Sequence, residues 1–211
     1  SYPAFSPYVV AVGGTSLVLS GGTRISESAW GNPDASGNGG GGVSGASNGI
    51  NKAIPVQEPS PSYQSILGYK GRSIPDVSLF ASNSPGVQIV LSKFVPKGTR
   101  TTYTPTSYAV GGTSLSAPCF GALICIANQL RINSDKPVLN SKQVLTALYD
   151  LYRQTTVSSY CKDLLYNVVS GTTYLATQNT YTTGTGRTTR RVTYWVYTPY
   201  SSAAPVPGGK G

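Results

Sequence analysis

Gly111-Gly112-Thr113-Ser114-Leu115-Ser116-Ala117-Pro118 decides how this chain is read. Two glycines and a serine stand directly before a long apolar stretch, so the segment predicts a tight turn that opens a helix. Such a turn lets the backbone approach a substrate carbonyl closely, and amide N–H groups at a helix start can stabilise an oxyanion. Ser114 is therefore the candidate nucleophile, with Gly112 and Thr113 as the turn and oxyanion residues. Yet the chain has no histidine and only seven acidic residues, so the usual proton acceptor of a serine nucleophile is absent. Either a carboxylate on another segment acts as the base, or there is no catalysis.

The same pattern occurs twice. Ala11-Val12-Gly13-Gly14-Thr15-Ser16-Leu17 recurs as Ala109-Val110-Gly111-Gly112-Thr113-Ser114-Leu115. After Leu17 the chain continues as Val18-Leu19-Ser20, a strand, whereas after Leu115 it enters a helix. Only the second copy has the strand-turn-helix order that exposes a nucleophile, so Ser16 is read as structural.

Outward from this segment, residues 116–131 are apolar nearly all round and predict a buried central helix. A second helix, capped at Asn140 or Ser141, runs to about residue 153 with Val144, Leu145, Leu148 and Leu151 on one face. Residues 8–13 and 16–20 are β-rich and separated by a Gly-Gly turn. Residues 31–61 hold many glycines and four prolines, too broken for a regular element. A short helical turn starts at Pro61-Ser62-Tyr63-Gln64, 74–79 and 87–91 predict buried strands, and 101–110 an edge strand or hairpin. Strands alternating with core helices suggest an α/β layered fold with a largely parallel sheet. Asp76, at a buried-looking strand end, is read as an acceptor of backbone hydrogen bonds, and Trp30 and Trp195 as packing residues.

Composition narrows the classes further. The 211 residues include 25 Gly, 15 Pro and 15 Tyr with 39% hydrophobic, which points to turns and short strands. No apolar run approaches the roughly 20 residues of a membrane span, and nothing at the start reads as a signal peptide. Methionine is missing even at position 1, which predicts a processed product or a piece of a longer sequence. The net charge of +9 is spread, with Arg187, Arg190 and Arg191 the one dense group. There is no aromatic-interleaved basic stripe and no nucleic-acid module, so the charge speaks for a solvated surface or an acidic protein partner before nucleic acid. Cys119 and Cys125 lie six apart on one helix and do not face each other, which leaves Cys161 as the remaining disulfide partner, within the chain or in another.

Five ordered motifs then carry a resemblance: residues 2–17, Gly40-Gly41-Gly42-Val43-Ser44, Pro61-Ser62-Tyr63-Gln64, Pro75-Asp76-Val77-Ser78 and the Ser114 octapeptide. Together they resemble the sedolisins, the serine-carboxyl peptidases, over residues 2–186. The resemblance implies a subtilisin-like fold of which this chain is the C-terminal portion only. It implies a glutamate base, an aspartate that orients it and a protonated oxyanion aspartate, all upstream of residue 1 in the family's order. Glu27 and Glu58, the two glutamates here, lack the aspartate four residues on that the family uses. A second chain or missing segment carrying the N-terminal half is the implied partner, and a peptide the implied substrate, in a lysosomal, acidic-vacuolar or extracellular setting.

The resemblance also implies a calcium site near residues 167–180. Asn167 stands for one aspartate, Val168 supplies a carbonyl, Ala176 and Gln178 stand at the glycine carbonyls, and Thr180 replaces the second aspartate. Two carboxylates have become neutral, so calcium is expected to bind weakly. Gly40, Gly41 and Gly42 are candidates to line the substrate cleft through their backbone. The chain divides into a sedolisin-like part (1–186, with the loop 31–61), a strand-like extension (187–204) that departs from the family and suits pairing with a partner's sheet edge, and a disordered tail (205–211). Two functions follow: the nucleophile chain of an acid-active endopeptidase or tripeptidyl-peptidase, or a pseudo-peptidase kept as a structural or binding subunit.

Overall fold

The computed structural model describes residues 2–31, 37–45, 58–97, 100–155, 164–168, 170, 173–183 and 190–200. In chain order they form β1 (Val12–Ser20), β2 (Thr23–Ala29), β3 (Gly42–Val43), a 3-10 helix (Ser62–Leu67), β4 (Ser73–Ile74) and β5 (Val77–Phe80). Then follow β6 (Val87–Lys97), β7 (Arg100–Val110), α1 (Thr113–Ile132), α2 (Ser141–Thr155), β8 (Thr173–Thr183) and β9 (Arg190–Tyr200).

β1 is the centre of a three-stranded sheet in the order β2-β1-β5. The β1–β2 hairpin turns at Gly21 and Gly22, whose φ values of 55° and 79° suit the two-residue turn that matches strand twist. β5 runs parallel to β1 on its other side, with Val12 opposite Val77 and Thr15 opposite Phe80. Phe120 of α1 is buried, and α1 packs on β1 and β5. α2 lies against the 3-10 helix, burying Val144 and Leu145 beside Tyr63 and Tyr149. Its N-terminus is a reciprocal cap: the Gln143 N–H donates to Asn140 Oδ1 (3.0 Å) and the Asn140 N–H to Gln143 Oε1 (2.9 Å).

The short helix at residue 62, the α2 face and the 101–110 hairpin strand are found as expected. Several expectations are corrected. The Gly-Gly turn at residues 13 and 14 is the interior of one continuous strand, and β2 was not foreseen. Packing explains the glycines: a Cβ on Gly13 would sit 2.5 Å from Ser78 Oγ, and one on Gly14 2.5 Å from Ala81 Cβ and 3.0 Å from the Trp30 ring. The segment 74–79 is divided at Pro75-Asp76 into β4 and β5. β6 is not buried, since Val90 is 70% exposed and the strand pairs with β7 alone among the described residues. Strands and helices mix as in an α/β protein, but β1–β5 is the one parallel pair among the described residues, because β6 folds onto β7 and β8 onto β9 as antiparallel hairpins. β9 therefore pairs with β8 of its own chain. Residues 187–189 and 201–211, Cys161 and the loop residues 32–36 and 46–57 lie outside the described residues; Cys119 and Cys125 are exposed and unpaired as thiols.

The central helix departs furthest from its expected burial. Ser116 and Phe120 are buried, yet Leu123, Ile126, Leu130 and Ile132 are all more than half exposed. α1 is also long and apolar enough, by length and composition, to cross a membrane. Asn128, Gln129 and Arg131 break the run near its end, which hid this in the sequence. A core helix whose cover lies on another segment has the same length and composition.

Close packing at β1 leads to a stability prediction. Gly14→Ala lowers stability by about 1–3 kcal/mol through forced displacement of Ala81 or Trp30. Gly40→Ala, where an added Cβ meets nothing within 4 Å, stays within about 0.5 kcal/mol. Denaturant unfolding of both variants checks this.

Candidate active site

The end of β7 reaches α1 through two glycines with different jobs. Gly111 is pressed onto backbone, where a Cβ would lie 2.5 Å from the Ala81 carbonyl oxygen and 2.7 Å from the Asn83 nitrogen. Gly112 has φ 90°, a conformation that side-chain-bearing residues rarely adopt, and its N–H donates to the Ala81 carbonyl at 2.5 Å. The Gly112 carbonyl then accepts from the Leu115 N–H at 2.9 Å, closing the first turn of the helix. Thr113 and Ser114 occupy that turn, where backbone N–H groups have no partner within the helix.

The two nearby serines have opposite roles. Ser116 is fully buried, and its hydroxyl donates to the carbonyls of Leu79 (3.1 Å) and Phe80 (3.0 Å), tying α1 to β5. Ser114 is exposed. Pro118, inside α1, has no N–H to offer the Ser114 carbonyl four residues back. In the first copy of the repeat, Ser16 sits within β1 opposite Ser28.

Trp30 fills the space beneath this turn. It is 9% exposed, its backbone N–H donates to the Gly14 carbonyl (3.0 Å) and its backbone carbonyl accepts from the Gly39 N–H (2.7 Å). A Cβ on Gly37 would meet the indole at 2.6 Å, and one on Gly112 would lie 3.9 Å from both Trp30 Cη2 and Ser114 Oγ. The indole thus links the nucleophile turn to the glycine run, as a packing residue.

At the other end of β5 stands a buried polar cluster. Arg72 and Asp76 form a two-pronged ion pair, Nη1 to Oδ1 and Nη2 to Oδ2 at 2.6 Å each, with both side chains fully buried. Asp76 Oδ2 also accepts from the Ala11 N–H (2.8 Å), as its expected role required, and Oδ1 from the Tyr149 hydroxyl (2.9 Å). Gln64 donates to the Ser73 carbonyl (2.8 Å) and the Tyr149 hydroxyl (2.6 Å). Burial acts to lower Arg72, but the hydrogen bonds and charge of Asp76 outweigh it and hold the guanidinium above its ordinary value. Burial, then the Asp76 charge, pushes the Tyr149 phenol far up, and burial raises Tyr63 as well. Sequence reasoning quoted Gln64 in a motif without giving it a partner and missed Arg72 and Tyr149; the closeness in sequence of an arginine to the buried-looking Asp76 was the available signal.

Some of the remaining candidates line a cavity of about 670 Å³. Gly40, Gly41 and Gly42 line one wall, with Glu27, Asn167 and Val168 elsewhere on the lining; Ser114 is not among the lining residues. Glu27 accepts from Thr15 Oγ1 (2.7 Å) and faces Arg24 at 3.5 Å. Ala176, Gln178 and Thr180 lie in β8, opposite Tyr197, Trp195 and Thr193 of β9. Among the described residues no three acidic, histidine or cysteine side chains gather as a metal site. The five candidate calcium residues include no carboxylate and three of them belong to a strand ladder, so they do not fit a hard cation that needs charged oxygens.

The site's layout is that of an exposed serine on a helix-opening turn, and comparison with known proteins agrees with its motifs. The chain is 37% identical to kumamolisin from Bacillus sp. (strain MN-32) over 134 residues, which are 61% of this chain and 21% of that protein. It is 33% identical to xanthomonalisin from Xanthomonas sp. (strain T-22) over 57% of the chain, and 36% identical to sedolisin from Pseudomonas sp. (strain 101) over 58%. These matches cover 13% and 18% of the two proteins, so the chain spans about a fifth or less of the curated relatives. No family model matches it. All three relatives are sedolisin-family peptidases, and the chain is similar to that family's C-terminal region.

The buried cluster sets two measurable outcomes. Asp76→Asn leaves Arg72 charged and unpaired, and denaturant unfolding will show a loss of about 3–5 kcal/mol. Because the folded state raises the Tyr149 pKa, its contribution is whole below the ordinary phenol value of about 10 and fades as pH climbs above it. Stability therefore falls as pH rises above about 10, and Tyr149→Phe, itself costing about 1 kcal/mol, makes that fall shallower.

Proposed function

We propose that this chain supplies the nucleophile of a serine-carboxyl peptidase. The observation that carries the reading is the exposed Ser114 in the first turn of α1, on a glycine at φ 90°, with neighbouring Ser116 buried and committed to β5. Ser114 Oγ attacks the peptide carbonyl, and the hydroxyl proton passes to a carboxylate on a segment outside this chain, with peptide N–H groups at the start of α1 facing the oxyanion. Acid conditions suit this chemistry, because a carboxylate base works best where its pKa lies near the operating pH. An acidic organelle or an extracellular setting follows from that.

The cover that α1 lacks belongs, in this reading, to the N-terminal half of the same peptidase domain. Its exposed apolar face and the small share of the relatives' length that the chain spans both support a missing half, as a separate chain or an upstream segment. The calcium site is degenerate. The neutral Asn167 and Thr180 favour a second reading, a pseudo-peptidase subunit, and the upstream carboxylates decide between the two.

The test uses the complete protein with whatever polypeptide co-purifies. Ser114→Ala lowers kcat for peptide hydrolysis at acid pH by about 10³-fold or more, while Ser16→Ala leaves it within a few-fold. Hydrolysis that survives Ser114→Ala, or a complete protein with no peptidase activity, overturns the catalytic reading.

A further inference from the structure

We propose that the outer edge of β6 is a docking site for an acidic, extended segment of a separate protein, which adds to the β6–β7 ribbon as a third strand.

The ribbon is an incomplete sheet. β6 and β7 pair over 11 residues each, a span of roughly 35 Å, and among the described residues neither strand pairs with any other. Two strands alone bury little apolar surface and are marginally stable in water. Here Val90 is 70% exposed and Leu91 53%, with Val87 and Tyr108 exposed as well. An open edge of main-chain N–H and C=O groups, beside side chains that gain from cover, fits another extended chain.

The prolines select which edge. A proline has no N–H to give a ladder, so it belongs where that group would point away from the paired strand. Ser92 stands opposite Pro105 and Pro96 opposite Thr101, register positions of the same parity, so one alternation suits both prolines. The outward N–H positions of β6 are then Gln88, Val90, Ser92 and Phe94, an unbroken run. On β7 the same alternation sets Pro105 in the middle of the outer edge, between Tyr103 and Ser107, and interrupts it.

Charge selects the occupant. From Val77 to Ser134 the chain has no aspartate or glutamate, while the ribbon carries Lys93, Lys97 and Arg100, with Lys97 opposite Arg100 at the last register position. Both lysines belong to β6. A second copy would bring lysine against lysine on a chain of net charge +9, whereas carboxylates in an added strand would complement them. A nucleic acid would answer the charge and leave the backbone edge unmatched. The charged end stands roughly 35 Å along β7 from the start of α1, which separates it from the apolar helix face assigned above to the missing half.

The experiment measures, by fluorescence anisotropy on the complete protein, binding of a labelled peptide of about eight residues that alternates glutamate and valine. It should bind at low ionic strength and weaken as salt is raised, while a lysine-valine peptide of the same length should not bind. Lys93→Glu combined with Lys97→Glu should raise Kd about tenfold or more, and Ser92→Pro should do the same with every charge in place. Ser107→Pro, on the edge that Pro105 already breaks, should leave Kd within about twofold. Thermal unfolding confirms that the variants fold, and the lysine variant carries the test if Ser92→Pro does not. No binding by the complete protein, the result expected if its own upstream segment lies on the ribbon, overturns the proposal. So does a single-stranded oligonucleotide that binds more tightly than the peptide through the same lysines and is indifferent to Ser92→Pro, or self-association of the complete protein that Ser92→Pro abolishes.

Discussion

Arg72 and Asp76 meet as a buried, two-pronged ion pair, and the segments that build the candidate site are fastened to it. Asp76 holds the approach to β1 through Ala11 and the α2 helix through Tyr149, while Arg72 reaches the Val9 carbonyl and the Ser73 carbonyl. Two opposite charges out of water are tolerable only when each is matched and further hydrogen bonded, and here nearly every polar atom is. Arg72 Nε is the exception, a buried N–H with no partner. The pair thus fixes geometry more than it adds stability, and the geometry is the start of β5.

From that start, β5 carries order to the nucleophile. Four residues separate Asp76 from Ala81, and over that distance the chain gives the Leu79 and Phe80 carbonyls to Ser116 and the Ala81 carbonyl to Gly112. One short parallel strand therefore has a charged anchor at one end and the helix-opening turn at the other. β1 lies beside it, with its two glycines letting Pro75, Ser78, Ala81 and Trp30 come within contact distance. The position of Ser114 follows from backbone carbonyls that cannot move without disturbing the sheet.

Much of this was legible in the sequence where local chemistry decides the outcome. The glycines before α1, the Asn140 cap and the Pro-Ser-Tyr-Gln turn each determine a backbone choice within a few residues. Asp76 was readable as an acceptor for the same reason. What stayed hidden depends on contacts far apart in the chain: Gly13 and Gly14 look like a turn until Pro75 and Ala81 are laid against them, and the partners of Asp76 come from residues 11, 72 and 149. Burial of α1 was misjudged because apolar composition says that a helix wants cover without saying which segment gives it.

Trp30 carries a consequence of another kind. This chain has two tryptophans, and one of them is sealed under the turn that holds Ser114, with its ring tip beside Gly112. The indole is a natural chromophore whose emission depends on how dry and how rigid its surroundings are. Any event that shifts Gly37 or Gly112, from the docking of a covering half to the passage of a peptide, is thereby written into the protein's own fluorescence, with no label attached.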